Sequence, residues 1–461
     1  MTGTVQGVGF RPFVFQLATE LQLRGWVRNS SHGVEIEVEG SDESCQGFVD
    51  RLRSNSPPQA TIRKLDVFPT EVLGEREFTI RSSEGGKELT PIEILPDIAT
   101  CNACRAELFD PGNRRFEYPF INCVHCGPRY SIIHDTPYDR CRATMREFTM
   151  CDSCLAEYED PMNRRFHAQP NACSDCGPKV DYQDRDGVSQ GPSENALILA
   201  ANAIGEGKIV AIKGLGGFHL FADAGNEVAV RLLRQRKQRE AKPFALMYPS
   251  LSAISKDCHL SDLESALLDS PAAPIVLLCR RFTSNLPSDI APESPYLGVM
   301  LPSTPLHHLL MQLLGCPVIA TSGNLTEEPI CIDNEEARRR LGQIANGFLM
   351  HDRPIQRAVD DSVVCVVAGR EMMLRRSRGY APKPIEIRQA LPSVLALGGD
   401  LKNTIALTNN GRAFVSQHVG DLSNACAHDT FDRNRREFPL LFRSEPTATA
   451  VDLHPDYHSA I

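Results

Sequence analysis

Apolar residues in the first 83 positions recur with the two periods that distinguish helices from strands. Phe13, Leu17 and Leu21 stand four apart within residues 12–23, which is the spacing of one helix face. Residues 34–38 instead alternate apolar and acidic side chains, as a half-buried strand does. A second predicted helix covers 44–53, and further predicted strands cover 2–6, 26–28, 62–68 and 78–80. This βαββαβ order predicts a small ferredoxin-like domain over residues 1–83.

A longer stretch, residues 195–388, alternates helical periodicity with short apolar runs. Such alternation is typical of an α/β domain. The predicted helices cover 196–206, 225–238 and 306–314, and the predicted strands cover 209–212, 245–248, 275–278, 318–321 and 363–367. After a proline-rich break at Pro382–Pro384, residues 392–461 form a last unit with a hairpin around Asn409-Asn410-Gly411. About 70 residues is short for an independent domain, so we expect this unit to be incomplete.

Between these regions, residues 97–180 contain an internal repeat with a period of 50 residues. Each copy has the arrangement C-x2-C-x18-C-x2-C and an Asp-Pro-x-Asn-Arg-Arg-Phe motif. Four thiolates suit the tetrahedral coordination of zinc, and a C-x2-C turn places two of them on one edge of the metal. We therefore predict two structural zinc ions, held by Cys101, Cys104, Cys123, Cys126, Cys151, Cys154, Cys173 and Cys176. The spacing does not decide whether each repeat closes its own site or the repeats exchange ligand pairs.

Length and charge restrict the class of protein further. A chain of 461 residues is long enough for several domains. Its net charge of −9 disfavours a protein that mainly wraps nucleic acid. No run of about 18 apolar residues occurs, so no membrane span is expected. The N-terminal segment lacks the basic and apolar regions of a secretory signal, and we expect a cytoplasmic protein.

A glycine-containing turn, Gln6-Gly-Val-Gly-Phe-Arg11-Pro12, joins the first predicted strand to the first helix. Its N–H groups and the helix dipole can hold an anion, and Arg11 can add a bidentate phosphate contact. Residues 3–15 and 25–29 resemble acylphosphatases, which cleave the anhydride between a carboxyl group and phosphate. The resemblance implies that Arg11 binds the phosphoryl group and that Asn29 positions water. Acylphosphatases normally have several more residues before the position of Gly3, so we expect a shortened first strand.

Basic and polar residues follow several predicted strands of the α/β domain, where open sheets bind ligands. Taken alone, the cation-rich segment 234–242 is also compatible with a solvated helix face. Together these segments resemble the threonylcarbamoyl-adenylate synthase family, which forms an acyl-adenylate from ATP. That family carries a K-x-R-x-x-x-P motif and a serine–asparagine pair. The resemblance implies binding of ATP with Mg²⁺, and of the substrate, by Lys213, His219, Lys237, Arg239, Ser322, Asn324 and Arg375.

Residues 397–407 and 416–421 resemble the opening hairpin of a kinase-like carbamoyltransferase domain. This order of domains around a double cysteine repeat is similar to that of the carbamoyltransferase maturation factors of nickel–iron hydrogenases, the HypF family. The family implies hydrolysis of carbamoyl phosphate and formation of carbamoyl-adenylate from the released carbamate and ATP. The carbamoyl group would then pass to a C-terminal cysteine of a partner maturation protein, on the way to the cyanide ligand of the active-site iron.

The metal-binding histidine cluster of that family's last domain would fall beyond residue 461. We therefore expect a C-terminally truncated member that makes carbamoyl-adenylate but transfers the carbamoyl group poorly or not at all. Two alternatives remain open. The cysteine modules could form a zinc-dependent scaffold or bind nucleic acid, although the acidic charge disfavours this. The α/β domain could instead make threonylcarbamoyl-adenylate for tRNA modification.

Overall fold

The computed structural model describes residues 1–5, 8–30, 33–57, 59–81, 94–136, 138–325, 328–387, 389 and 391–460. Gln6 and Gly7 of the glycine-containing turn, and the predicted domain ends at residues 83 and 388, lie outside these residues. Within the described ranges, no helix is both long enough and apolar enough to cross a membrane.

The N-terminal unit combines five strands with two helices. The strands are β1 (Thr2–Thr4), β2 (Arg24–Ser30), β3 (Gly33–Glu39), β4 (Thr61–Lys64) and β5 (Phe78–Ile80), and the helices are α1 (Phe10–Glu20) and α2 (Asp42–Ser54). Hydrogen bonds link β3, β2 and β5 in that order, and β1 pairs with β4. Two main-chain hydrogen bonds between Met1 and Val34, each 3.0 Å long, join the two groups. The predicted ferredoxin-like fold is confirmed.

Of the three apolar residues that the spacing marks in the first helix, Leu17 is buried, Phe13 is half-buried, and Leu21 lies just beyond the end of α1. Val14, Leu17 and Ala18 of α1 are buried in the core of the unit. Before α2, the hydroxyl of Ser41 accepts a hydrogen bond from the amide of Ser44 and caps the helix. Before α1 the cap is Gly9, whose φ of 76° lies in the left-handed region that favours glycine. Gly9 therefore fixes where α1 begins, and with it the position of Arg11.

The cysteine repeats contain little regular structure. Each has one short helix that begins directly after its first cysteine, α3 (Asn102–Leu108) or α4 (Asp152–Glu159). Cys101 and Cys151 cap these helices with nearly equal φ values of −72° and −71°. The two copies thus start in the same local conformation. Their buried side chains share one apolar core with one face of the α/β sheet.

The α/β unit is built on a sheet of ten strands, in the order β15-β14-β10-β11-β9-β12-β8-β7-β13-β6. Its strands are β6 (Val180–Asp184), β7 (Val210–Lys213), β8 (Phe218–Asp223), β9 (Ala245–Met247), β10 (Ile275–Cys279), β11 (Tyr296–Met300), β12 (Val318–Ser322), β13 (Gly347–His351), β14 (Val363–Val367) and β15 (Arg370–Arg375). Its helices are α5 (Ala196–Gly205), α6 (Glu227–Lys237), α7 (Leu251–Asp257), α8 (Asp262–Leu268), α9 (Pro305–Leu314) and α10 (Asn334–Leu341).

This sheet contains all five strands that the apolar runs predict, but it is mixed. β8 is antiparallel to both β7 and β12, so β7 and β12 run parallel to each other. β7 and β12 therefore end on the same side of the sheet where β8 begins. Lys213, His219 and Ser322, three of the residues selected from the sequence, lie at these strand ends.

The last unit is a five-stranded sheet in the order β16-β19-β18-β17-β20, with one helix. Its elements are β16 (Ile385–Glu386), β17 (Val394–Ala396), β18 (Ala406–Asn409), β19 (Arg412–Val415), α11 (Ala425–Leu441) and β20 (Ala448–Ala450). Asn410 and Gly411 have φ values of 49° and 71°, which confirms the predicted hairpin turn. Tyr130 and Ile133, from the segment after the first repeat, are buried in this unit's core. The unit therefore does not build its core alone.

Cysteine clusters and two candidate anion sites

The four sulfur atoms of each repeat lie together. Neighbouring Sγ atoms are 3.5–3.9 Å apart in the first repeat (Cys101–Cys123, Cys123–Cys126, Cys104–Cys126). They are 3.6–3.8 Å apart in the second (Cys151–Cys173, Cys173–Cys176, Cys154–Cys176). Each repeat therefore closes its own cluster, which decides the ligand pairing that the spacing left open.

These distances suit a tetrahedral zinc ion. With Zn–S bonds of about 2.3 Å, a regular tetrahedron separates its sulfur atoms by about 3.8 Å. All four Sγ atoms of each cluster lie within 4.8 Å of one another. Among the described residues, neither cluster includes a histidine. Four cysteines thus supply all four corners, and no coordination position is left open for chemistry.

The two repeats hold each other through arginines of the Asn-Arg-Arg motif. Arg114 of the first repeat donates a hydrogen bond to the Sγ of Cys154 in the second, at 3.0 Å. Arg164 of the second repeat donates to the Sγ of Cys104 in the first, at 3.1 Å. Each of these arginines thus contacts a ligand sulfur of the opposite repeat. The sequence showed that the motif is repeated but not what it contacts.

A glutamate of each repeat also binds the arginines of the opposite repeat. Glu157 accepts hydrogen bonds from Arg114 and Arg115, and Glu107 accepts them from Arg164 and Arg165. Burial alone would raise the pKa of Glu157, but the hydrogen bonds from Arg115 and Arg114 lower it to about 2. Both contacts are therefore ionic at neutral pH. Because a zinc ion held by four thiolates carries a net negative charge, the arginines also offset that charge.

The candidate phosphate site of the N-terminal unit lies at the start of α1. Arg11 is in the first turn of this helix, two residues after Gly9. Burial lowers the pKa of Arg11, and Asp139 and Tyr158 act in the opposite direction. On β2, the buried Oδ1 of Asn29 has no hydrogen-bond partner among the described residues. An unpartnered buried acceptor is suited to hold a water or another donor.

Three residues of the α/β unit that the sequence singled out meet at one point. Lys237, the last residue of α6, is 2% exposed. Its Nζ donates to the carbonyl oxygens of Ser322 and Asn324 at 2.7 Å and to Oδ1 of Asn324 at 2.8 Å. The hydroxyl of Ser322 also donates to Oδ1 of Asn324, at 2.8 Å. The lysine therefore braces the loop that follows β12.

Further cations lie next to this cluster. Arg239 contacts the hydroxyl of Thr321 at 3.5 Å, and Arg375 forms an ion pair with Asp360 at 2.6 Å. Burial, together with the charges of Arg234 and Arg375, lowers the pKa of Arg239 to about 10. Several cations held close together repel one another, and an anion bound between them relieves that repulsion.

His219 belongs to the same neighbourhood. It stands directly opposite Ser322 in the pairing of β8 with β12. Its Nε2 lies 3.0 Å from Oδ2 of Asp361, whose other oxygen accepts a hydrogen bond from Arg378 at 2.7 Å. Burial would raise the pKa of Asp361, but Arg378 and His219 hold it well below its usual range. Sequence reasoning missed Asp361 and Arg378, because no spacing connects them to His219.

Lys213 lies beside a small cavity at the end of β7. Its Nζ donates to the carbonyl of His351 at 3.1 Å. It lines a cavity of about 20 Å³. A larger cavity of about 540 Å³ is lined by residues of the N-terminal unit, the first repeat and the α/β unit, among them Gln59, Arg105 and His308. Ile98 and Thr100 line both cavities, so the two adjoin.

The last unit faces the cations of the α/β unit. Burial lowers the pKa of His418 to about 4, and the charge of Arg375 adds to this effect. Burial and the charges of Arg239 and Arg375 lower the pKa of Lys242, and Asp421 acts against them. His418 and Asp421 lie just after β19 in the last unit. Because they interact with Arg375 and Lys242, the last unit is within electrostatic reach of the candidate nucleotide site.

The structure defines a multi-domain protein with two candidate anion sites. One site is the arginine at the first helix of the ferredoxin-like unit, and the other is the lysine–serine–asparagine cluster on the α/β sheet. Two cysteine modules complete the set of features. Four family models match the chain in this order. They are "Acylphosphatase" over 1–80, "HypF finger" over 100–133 and 150–182, "Telomere recombination" (Sua5/YciO/YrdC) over 202–377 and "HypF Kae1-like domain" over 389–461. The finger matches and the two four-cysteine clusters together indicate zinc binding.

Similar proteins cover almost the whole chain. The carbamoyltransferase HypF of Synechocystis sp. is 51% identical over 99% of this chain and 60% of its own length, and that of Rhizobium leguminosarum is 45% identical over 99% and 59%. The crystal structure of a full-length HypF in a phosphate- and nucleotide-bound form matches with a TM-score of 0.92 at 45% identity, over 99% of this chain and 60% of that one. The chain belongs to the HypF carbamoyltransferase family, and it spans about 60% of the length of these relatives.

Proposed function

We propose that this chain hydrolyses carbamoyl phosphate and joins the released carbamate to ATP, as part of hydrogenase maturation. The observation that carries the proposal is that one chain combines an acylphosphatase-like helix start with the Lys237–Ser322–Asn324 cluster, in two units that both pack on the cysteine modules. The match to a HypF bound to phosphate and a nucleotide supports the assignment of one ligand to each site.

The first step uses the N-terminal unit. Arg11 and the amide groups at the start of α1 hold the phosphoryl group of carbamoyl phosphate. Asn29, with its unpartnered Oδ1, accepts a hydrogen bond from the attacking water. The water oxygen forms a bond to phosphorus, and the bond from phosphorus to the carbamoyl oxygen breaks. Carbamate leaves with the bonding electron pair, and inorganic phosphate remains.

The second step uses the α/β unit. Arg239 and Arg375 hold the phosphates of ATP, while Ser322 and Asn324, which Lys237 holds in place, orient them. When bound, Mg²⁺ would accompany ATP and neutralise part of its charge. A carbamate oxygen attacks the α-phosphate, and pyrophosphate leaves. Lys213 and His219, at the neighbouring strand ends, position the carbamate. The product is carbamoyl-adenylate.

We propose that carbamate passes from the first site to the second without release to bulk solvent, because it decomposes in water. Two adjoining cavities lie between the units. The larger is lined in part by Gln59 of the N-terminal unit, and the smaller in part by Lys213. Residues of the first cysteine module line both cavities, and we propose that each module holds one structural zinc ion that keeps the units in fixed relation.

The final step of the proposed sequence is transfer of the carbamoyl group to a C-terminal cysteine of a partner maturation protein. We propose that this step involves the last unit, because His418 and Asp421 face the candidate nucleotide site. The transferred group would become the precursor of the cyanide ligand of the nickel–iron centre.

Exchange of labelled pyrophosphate into ATP tests the first two steps together. We expect exchange that requires carbamoyl phosphate. Arg11→Ala should abolish it by preventing carbamate release, and supplied carbamate should restore it. Lys237→Met should abolish exchange under both conditions, because it removes the ammonium that holds Ser322 and Asn324 in place. Exchange that proceeds without carbamoyl phosphate or carbamate would contradict the proposal, as would exchange in Arg11→Ala that added carbamate does not rescue.

A further inference from the structure

Helix α1 packs on both cysteine modules. A Cβ atom at Gly9 would lie 2.9 Å from Cγ1 of Val124 and 3.1 Å from Cε1 of His125, both in the first module. About two turns further along the helix, Nε2 of Gln16 donates to the carbonyl of Pro161 in the second module, at 3.1 Å. The candidate phosphate site at the start of this helix is therefore placed directly against the cysteine modules.

His167 of the second module is within electrostatic reach of Arg11. Burial lowers the pKa of His167, and the positive charge of Arg11 lowers it further. Tyr158 interacts in turn with Arg11. The imidazole is stacked on the ring of Tyr158, with centroids 5.0 Å apart and an interplanar angle of 18°. Tyr158 and His167 thus stack on each other within electrostatic reach of Arg11, across the boundary between the two units.

The backbone holds this imidazole in place, while its nitrogens are available. The amide of His167 donates to the carbonyl of Tyr158 at 3.0 Å, and Nε2 of Gln169 donates to the carbonyl of His167 at 2.9 Å. Among the described residues, neither ring nitrogen of His167 has a hydrogen-bond partner. The ring is held by its stacking on Tyr158, and because His167 is exposed it presents polar atoms that nothing in the described chain uses.

The first module shows that the repeat itself does not require a histidine here. Glu117 occupies the matching position, with a φ of 53° against 51° for His167. Both modules thus adopt the same left-handed conformation with different side chains. A carboxylate beside Arg11 would repel a phosphate substrate, whereas a neutral imidazole would not. The histidine belongs to the copy whose residues interact with Arg11.

We propose that His167 contacts the carbamoyl end of the substrate whose phosphoryl group Arg11 holds, so that the acylphosphatase-like site is shared between two units. This inference rests on the proposed function. The unprotonated ring nitrogen of His167 accepts a hydrogen bond from the amino group of carbamoyl phosphate. Acetyl phosphate has a methyl group at that place and cannot donate this bond. His167 therefore selects for the carbamoyl group rather than for phosphate.

Hydrolysis of carbamoyl phosphate and of acetyl phosphate, measured side by side on the whole chain, tests this selection. We expect His167→Leu to lower kcat/KM for carbamoyl phosphate by roughly tenfold, the effect of one lost hydrogen bond, and to change kcat/KM for acetyl phosphate by less than about twofold. His167→Gln, whose amide oxygen can accept the same bond, should retain part of the difference. Glu117→Gln is the matched control and should change neither value.

The zinc content of each variant, two ions per chain, shows whether the modules remain folded. An equal loss on both substrates would overturn the inference, because His167 would then act on phosphate or on the fold. Unchanged kinetics for His167→Leu would overturn it as well. If the wild-type chain hydrolyses neither acyl phosphate, the proposed function itself fails. If instead the wild type hydrolyses both substrates and His167→Leu changes neither rate, only the role of His167 fails.

Discussion

Lys213 illustrates what a functional charge costs when a side chain is buried. Lys213 is 4% exposed. Among the described residues, its ammonium has one hydrogen-bond acceptor, the carbonyl of His351. Burial and the charge of Arg353 lower the pKa of Lys213 to about 8. An apolar side chain of similar length would avoid this cost. We infer that the lysine is retained for its charge at the end of β7.

We expect Lys213→Met to raise the midpoint temperature of unfolding at pH 7 by roughly 3 °C or more and to reduce pyrophosphate exchange. The folded-state pKa of about 8 lies below the unfolded value of about 10.4, so the unfolded chain binds the proton more tightly. The wild type therefore gains stability between about pH 8 and pH 10.4, and its deficit relative to the variant should shrink there. Thermal unfolding from pH 7 to pH 9.5 measures this trend.

Lys256→Met provides the control for this prediction. Lys256 is exposed in the last turn of α7, so its removal should leave the pH dependence as in the wild type. A Lys213→Met chain that is no more stable than the wild type at pH 7 would show that the buried ammonium carries no such cost.

For individual residues, the sequence identifies those that lie in a short chemical motif. It misses those that only the tertiary structure brings next to the site. Lys237, Ser322 and Asn324 were selected from short motifs, and the structure brings them into hydrogen-bond contact. Asp361 was missed because its partner His219 is 142 positions away in the chain. Only the folded sheet brings these two residues together, so no local pattern could have indicated the pair.

Between elements, the two cysteine modules act as one body because each contacts the other's metal ligands. Arg164 reaches Cys104 across the boundary between modules, and Arg114 reaches Cys154. Hydrogen bonds to ligand sulfur atoms stabilise their thiolate form and orient them. Loss of one of these arginines should therefore weaken zinc binding in the opposite repeat, not in its own.

We expect Arg164→Ala to speed zinc loss from the first cluster and Arg114→Ala to speed it from the second, each by roughly tenfold. Alkylation of cysteines during treatment with a chelator, read by mass spectrometry, reports which quartet has opened. Arg146→Ala, at an exposed arginine of the same segment, is the control and should leave both rates unchanged. Faster alkylation of the quartet in the mutated repeat itself would contradict the exchanged arrangement.

The elements themselves differ in how far the sequence determines them. Five strands of the α/β unit were predicted because each is an apolar run between breaks. β8 and β13 were missed although Phe218, Leu220 and Phe348 are fully buried. Strands buried on both faces show no alternation, and a short turn from β7 to β8 hides the boundary between them. That missed hairpin is one of the antiparallel pairs that make the sheet mixed.

In the whole molecule, the cysteine segment contacts every other unit. α1 of the N-terminal unit packs on it, its buried residues share a core with the α/β sheet, and Tyr130 and Ile133 enter the core of the last unit. From the sequence, this segment was predicted to hold two structural zinc ions. The structure gives this segment a larger role, because the last unit also depends on it for part of its core.

The hydroxyl of Tyr130 joins the cysteine segment to the last unit through a buried hydrogen bond to Oε1 of Gln417, 2.6 Å long. Tyr130→Phe should leave that amide oxygen unpaired, a loss of about 1–3 kcal/mol that falls on the last unit alone. We expect faster hydrogen exchange in peptides covering β17–β19 and α11, with zinc content and the α/β unit unchanged. Tyr138→Phe is the matched control, because the Tyr138 hydroxyl bonds within its own segment, to the carbonyl of Pro128. Equal exchange in the two variants would mean that the last unit is stable without this contact.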